Sequence, residues 1–99
     1  MNRKAIFIAY NQALHGLIIK CFEELNIKGY TQWEDLKGAG SRDGEPHLGT
    51  HAWPTLNGSM LAVISAEKVQ PLLDMLRRID ADVPKQGLRA FVWSVEDGM

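Results

Sequence analysis

Two parts of the chain share one pattern, a short apolar run followed by apolar residues spaced three and four apart. The first run, Arg3 to Tyr10, is too short for a helix and predicts a buried strand. Asn11 then suits the N-cap of a helix. The apolar stripe of this helix consists of Leu14, Leu17, Ile18, Cys21, Phe22 and Leu25. The second run, Ser59 to Ile64, predicts another strand, and Ser65 is placed to cap a second helix. Such a chain must pack two helices against a sheet.

Two further strands complete the pattern. Residues Gly29 to Leu36 alternate loosely in polarity, and Leu88 to Glu96 are rich in branched and aromatic residues. The resulting order, β, α, β, long loop, β, α, β, predicts an α+β fold of the ferredoxin-like type. This fold has a four-stranded antiparallel sheet with both helices on one face. The other face then lacks a cover. With Trp33 or Trp93 projecting from it, that face would suit a symmetric homo-oligomer.

Length, charge and cysteine content narrow the class of protein. The 99 residues fit a single domain, 1–99, with a modest core. A net charge of −1 lacks the basic footprint of a nucleic-acid binder. The single cysteine, Cys21, excludes an internal disulfide, and the first apolar run is too short for a signal peptide or a membrane span. We therefore expect a cytoplasmic protein without direct membrane insertion.

A connection of about twenty residues, Lys37 to Asn57, separates the second and third predicted strands. It is far longer than the usual connection in a compact domain, and such loops are mostly either functional or disordered. Leu48, His51 and Trp53 favour a functional loop, because these side chains need packed partners. Trp53 could anchor a partner protein or fold the loop back onto the body of the domain, and the sequence leaves both readings open.

Two histidines in this connection could bind a metal ion. His47 and His51 carry imidazoles, which are good ligands for zinc, copper or nickel. The competing interpretation is that both histidines bond the loop backbone and pack against Trp53. The histidines, Ser41 and Cys21 match no recognisable catalytic arrangement, so we expect that the protein is not an enzyme.

Glycines follow the second predicted strand. The segment Gly38 to Gly44, GAGSRDG, could hold an anion through its backbone N–H groups, with charge supplied by Lys37 and Arg42. Glycines at the end of a strand also serve turn geometry. The pattern alone therefore does not decide between an anion site and a turn.

Two longer motifs resemble the PII signalling superfamily of trimeric regulators, and the resemblance spans nearly the whole chain. LNIKGYTQWEDLKGAG is similar to the strand that leads into the base of the family's T-loop, the mobile arm that meets partner proteins. DADVPKQGLRAFVWSVE is similar to the B-loop and the strand after it, which hold nucleotide phosphates in that family. The ligand-binding positions that the resemblance implies are Thr31, Gly38, Gly40, Gly87 and Arg89.

The chain also departs from the nitrogen-regulating members of that superfamily. Arg42 stands where they carry a glutamine that helps to hold magnesium and 2-oxoglutarate, and residues 37–57 contain no tyrosine for uridylylation. Residues 84–86, PKQ, replace a more glycine-rich turn. The segment Glu45 to Pro54 is similar instead to a divergent branch that is associated with heavy-metal efflux transporters.

The resemblance implies a homotrimeric sensor that binds a metal ion, a nucleotide or an anionic metabolite in the clefts between its subunits. Arg42 would join the glycines at the ligand site. The T-loop-like insertion, residues 37–57, would use Trp53 to dock onto a partner, for which the resemblance suggests a membrane transporter. The alternative hypothesis is a ferredoxin-like metal-binding module that uses His47 and His51 and binds no nucleotide.

Overall fold

The computed structural model describes residues 2–39, 47–49 and 55–99 of the chain. Over these ranges the chain forms four strands and two α-helices. The strands are β1 (Arg3–Asn11), β2 (Thr31–Leu36), β3 (Asn57–Ser65) and β4 (Arg89–Ser94). The helices are α1 (His15–Glu24) and α2 (Val69–Asp82), preceded by the short 3-10 turns Gln12–Leu14 and Ala66–Lys68. Among the described residues, no helix is long and apolar enough to span a membrane.

The four strands form one antiparallel sheet in the order β2-β3-β1-β4. Strand β1 lies between β3 and β4, so that Phe7 is opposite both Leu61 and Phe91. Strand β2 pairs with β3 at one edge of the sheet. The arrangement confirms the predicted α+β, ferredoxin-like fold. Most of the predicted insertion, residues 40–46 and 50–54, lies outside the described residues.

The two helices cover one face of the sheet. Successive residues of a strand point to opposite faces, and the even-numbered residues of β1 and β3, apart from the half-buried Lys4, are buried together with residues of both helices. The buried residues that form this core include Ile6, Ile8, Tyr10, Ile18, Phe22, Met60, Ala62, Ile64, Leu72 and Leu76. Cys21 belongs to the same core, as predicted, and burial raises the pKa of its thiol.

The helices differ from the sequence predictions in three places. The Asn11 side chain accepts a hydrogen bond from the Ala13 N–H at 3.0 Å, but it caps the 3-10 turn rather than α1. Ser65 occupies the cap position of the second turn without a side-chain hydrogen bond. Leu17, predicted to face the core, is 43% exposed, because it lies about 100° around the helix from the buried Ile18.

The face of the sheet opposite the helices is apolar and exposed; we call it the open face. Register places Phe7, Leu61 and Phe91 side by side on this face, with Trp93 next to them on β4. Phe91 is 60% exposed and Trp93 49%. Trp33 is opposite Ser59 on β3 and therefore projects from the same face, as predicted. Exposed apolar patches of this kind often mark association surfaces.

Candidate functional site

The predicted ligand-binding residue Gly38 lies at the end of the sheet where β2 leads into the long connection. Beyond Leu36, Gly38 and His47 form an isolated antiparallel bridge. The Gly38 N–H donates to the His47 carbonyl at 2.6 Å, and the His47 N–H donates to the Gly38 carbonyl at 2.5 Å. The start of the connection is thereby bonded to a residue near its middle.

The side chain of Asn57, the first residue of β3, lies against this bridge. Its Oδ1 is hydrogen-bonded to His47 Nδ1, which as the donor carries the proton. A Cβ atom on Gly38 would lie 2.1 Å from Asn57 Nδ2 and 3.0 Å from its Cγ. Gly38 is therefore required by the close approach of Asn57, a reason that the glycine pattern of the sequence does not reveal.

A second loop, the Gly87 turn, residues 83–88, connects α2 to β4 and reaches the same place. Lys85 and Gly87 have positive φ angles of 65° and 72°. A Cβ atom on Gly87 would lie 3.6 Å from His47 Cε1, so the turn faces the His47 ring. Asn11 Nδ2 donates to Gln86 Oε1 at 2.6 Å, which ties the turn to the end of β1. The predicted site residues Gly38 and Gly87 are thus brought together.

Thr31 and Arg89 are not brought together within one chain. Thr31 begins β2 at one edge of the sheet, and Arg89 begins β4 at the other. The edges are separated by three strand spacings of about 4.8 Å each. Both residues are exposed, and Arg89 Nη1 donates to the Leu88 carbonyl at 2.8 Å. Within one chain, Thr31 and Arg89 therefore do not line one compact site.

Several predicted site residues fall outside the described ranges. They are the ligand-binding candidates Gly40 and Arg42, the metal-ligand candidate His51 and the partner-binding candidate Trp53. The described metal-ligand candidate, His47, is buried and has its Nδ1 bonded to Asn57. Within residues 2–39, 47–49 and 55–99, no three His, Cys, Asp or Glu side chains group as metal ligands would.

A cleft of about 280 Å³, which the sequence patterns did not predict, lies between the start of α1 and β2. On its floor the Tyr10 hydroxyl is hydrogen-bonded to His15 Nδ1 at 2.7 Å, and the two rings stack. Burial, followed by the charges of Glu34 and Tyr30, raises the pKa of Tyr10 to about 12. Gly58 lies beneath the Tyr10 ring, which its Cβ atom would approach to 2.9 Å. The phenol therefore stays neutral at physiological pH.

Comparison with known proteins finds similarity at the level of structure. No protein-family model matches the chain, and no match was found among curated proteins. The fold is similar to that of CPII, a nitrogen regulatory PII-like protein from Thiomonas intermedia K12, bound to ADP, AMP and bicarbonate. The TM-score is 0.80 at 21% identity, covering 100% of this chain and 91% of CPII.

A second similar structure is a protein of Thermus thermophilus provisionally assigned as a PII-like signalling protein. Here the TM-score is 0.67 at 20% identity, covering 96% of this chain and 88% of the other. CPII without ligand gives a TM-score of 0.68 at 17% identity, covering 96% of this chain and 92% of CPII. The chain has the fold of PII-like proteins, which confirms the fold expected from the sequence resemblance.

Proposed function

We propose that the chain is a PII-like regulatory protein, rather than an enzyme, that binds an adenine nucleotide or another small anion between the subunits of a homotrimer. One observation carries the proposal: the Gly87 turn and the Gly38–His47 bridge meet at one end of the sheet. These are the two loops that the sequence resemblance assigns to the ligand. CPII, which shares the fold, was solved with ADP, AMP and bicarbonate bound.

The chemistry of the Gly87 turn suits an anion. Positive φ angles at Lys85 and Gly87 give the turn the kind of backbone geometry in which N–H groups can converge on an anion. Lys85 and Arg89 are both exposed and add positive charge to a chain whose net charge is only −1. Arg42, at the base of the connection, would supply a further cation.

Two features of the single chain support association between copies, and the sequence resemblance implies that the assembly is a trimer. The open face carries Phe91 and Trp93 with about half or more of their side-chain surface exposed, and apolar patches of this kind mark association surfaces. The separation of Thr31 from Arg89 across the sheet means that a shared ligand would have to lie between copies. Ligand binding in the cytoplasm would then bias residues 37–57, which dock through Trp53 onto a partner such as a membrane transporter.

Calorimetric titration with ADP tests the proposal. We expect heat on titrating the wild type, and binding about ten to a hundred times weaker for Arg89→Ala, because a hydrogen bond to a charged group is lost. Arg3→Ala is the matched control, since Arg3 is an exposed arginine at the start of β1, far along that strand from Ala9, the residue opposite Arg89. A flat wild-type titration, or equal affinity for Arg89→Ala and Arg3→Ala, would refute nucleotide binding at this site.

Titrating zinc, copper and nickel into the same proteins tests the metal-binding alternative. If metal rather than nucleotide is the ligand, the heat should disappear in a His47→Ala/His51→Ala protein and persist in Arg89→Ala.

A further inference from the structure

We infer that His47 and Asn57 are positioning residues that couple the Gly87 turn to the base of the 37–57 connection within each chain. The inference rests on the proposed function, because it concerns how a ligand at the turn would act on the connection. We call the bonded set Asn11, Gln86, His47, Asn57 and Gly38 the junction.

The Asn57 side chain is held in a fixed position. Asn57 is the last partner of Asn11 on β1 and of Leu36 on β2, so its backbone is held from both sides. Its amide oxygen is bonded to His47 and its amide nitrogen lies against Gly38. One side chain therefore touches both residues of the Gly38–His47 bridge.

The His47 ring lies between Asn57 and the Gly87 turn. The side chain is 6% exposed, and its Nδ1 is bonded to Asn57. Cε1, the ring atom between the two nitrogens, is the atom nearest to the position of a Gly87 Cβ, at 3.6 Å. A shift of the Gly87 turn toward or away from the sheet would therefore change the packing of the ring and, through it, the bond to Asn57.

The Gly87 turn is also attached to the sheet through Gln86. Gln86 accepts from Asn11 Nδ2 at 2.6 Å, and Asn11 is directly opposite Asn57 in the β1–β3 ladder. The turn thus reaches the end of the sheet by two routes, through His47 and through Asn11. Because energetic coupling is reciprocal, anything that orders the turn should also order the Gly38–His47 bridge.

Amide hydrogen exchange in the ligand-free protein tests the junction directly. The Gly38 and His47 amides bond each other's carbonyls, so their exchange reports the closure of the bridge. In Gln86→Ala we expect both amides to exchange about fivefold faster, the effect of one ordinary hydrogen bond. Amides in the centres of β1 and β3 should keep their rates.

Gln32→Ala is the matched control, because Gln32 is an exposed glutamine on β2 whose side chain bonds Glu34 at 3.4 Å and lies away from the junction. It should leave the Gly38 and His47 amides unchanged. Asn57→Ala tests the other route, because it removes the acceptor of His47 Nδ1, and it should also speed exchange of the Gly38 and His47 amides. Unchanged exchange in both Gln86→Ala and Asn57→Ala, or equal acceleration in Gln32→Ala, would overturn the junction.

Adding ADP separates this inference from the proposed function. If ADP binds the wild type and slows exchange at Gly38 and His47 by more than it does in Gln86→Ala, the junction transmits ligand binding. If ADP binds without slowing these amides, the coupling is wrong although the proposed function stands. If ADP does not bind, the proposed nucleotide function fails, while the ligand-free comparison of Gln86→Ala with Gln32→Ala still decides whether the junction exists.

Discussion

Gly38 lies where the Asn57 side chain crosses the end of β2, and any side chain there would collide with the amide. We predict that Gly38→Ala lowers the free energy of unfolding by about 1–3 kcal/mol, the usual cost of overpacking. Gly16→Ala is the control, because no atom lies within 4 Å of its Cβ position on α1. It should raise stability by about 0.5–1 kcal/mol, as alanine is the better helix former. Urea denaturation measures both, and equal effects would contradict the close approach.

The sequence shows that Gly38 is a glycine but not why a glycine is needed there. Gly38 follows β2, whereas Asn57 begins another strand, and their contact exists only after the strands pair. The same limit applies to His47. Its sequence neighbours made metal binding reasonable, but the partner that its Nδ1 bonds is Asn57, which the spacing of histidines cannot identify.

At the scale of elements, strand β2 contains an irregularity that alternation did not predict. Its register with β3 shifts between Trp33 and Leu36, and Asp35 has a φ of 56°, in the left-handed region. The Asp35 N–H donates to Gln12 Oε1 at 3.1 Å instead of joining the ladder. The pattern of Gly29 to Leu36 indicated a strand correctly, yet the bulge depends on Gln12, a residue of a distant turn.

We predict that Asp35→Val lowers the free energy of unfolding by about 1–2 kcal/mol, because a β-branched residue is strained in the left-handed region. Asp35→Gly should be neutral or stabilising, since glycine adopts this φ without strain. Urea denaturation of the two variants provides the measurement. A valine variant as stable as the glycine variant would mean that the bulge does not hold this conformation in solution.

The order of the elements was predictable because each strand and the helix after it have their own hydrophobic pattern. The ends of the elements were less predictable, because they depend on contacts with residues distant in the sequence. Helix α2 continues to Asp82, so it includes the first three residues of the motif DADVPKQGLRAFVWSVE, the start of which resembles the B-loop. Strand β4 begins at Arg89 rather than Leu88 and ends at Ser94. Leu88 is instead buried in the core.

At the scale of the whole molecule, the open face determines the predicted assembly. Phe91→Glu should convert a trimer to monomers at micromolar concentration, because a charge would have to be buried in the interface. Leu17→Glu is the matched control, as Leu17 is also exposed but lies on α1, away from this face. Sedimentation velocity measures the change in mass. Dissociation by Leu17→Glu but not by Phe91→Glu would place the interface elsewhere.

The most direct test of subunit-cleft binding is native mass spectrometry of the wild type with ADP. We expect a species of three times the 11.1 kDa chain mass that takes up as many as three ADP molecules, one for each cleft. A species of one chain mass that remains monomeric with ADP present, or a trimer that takes up no ADP, would contradict it.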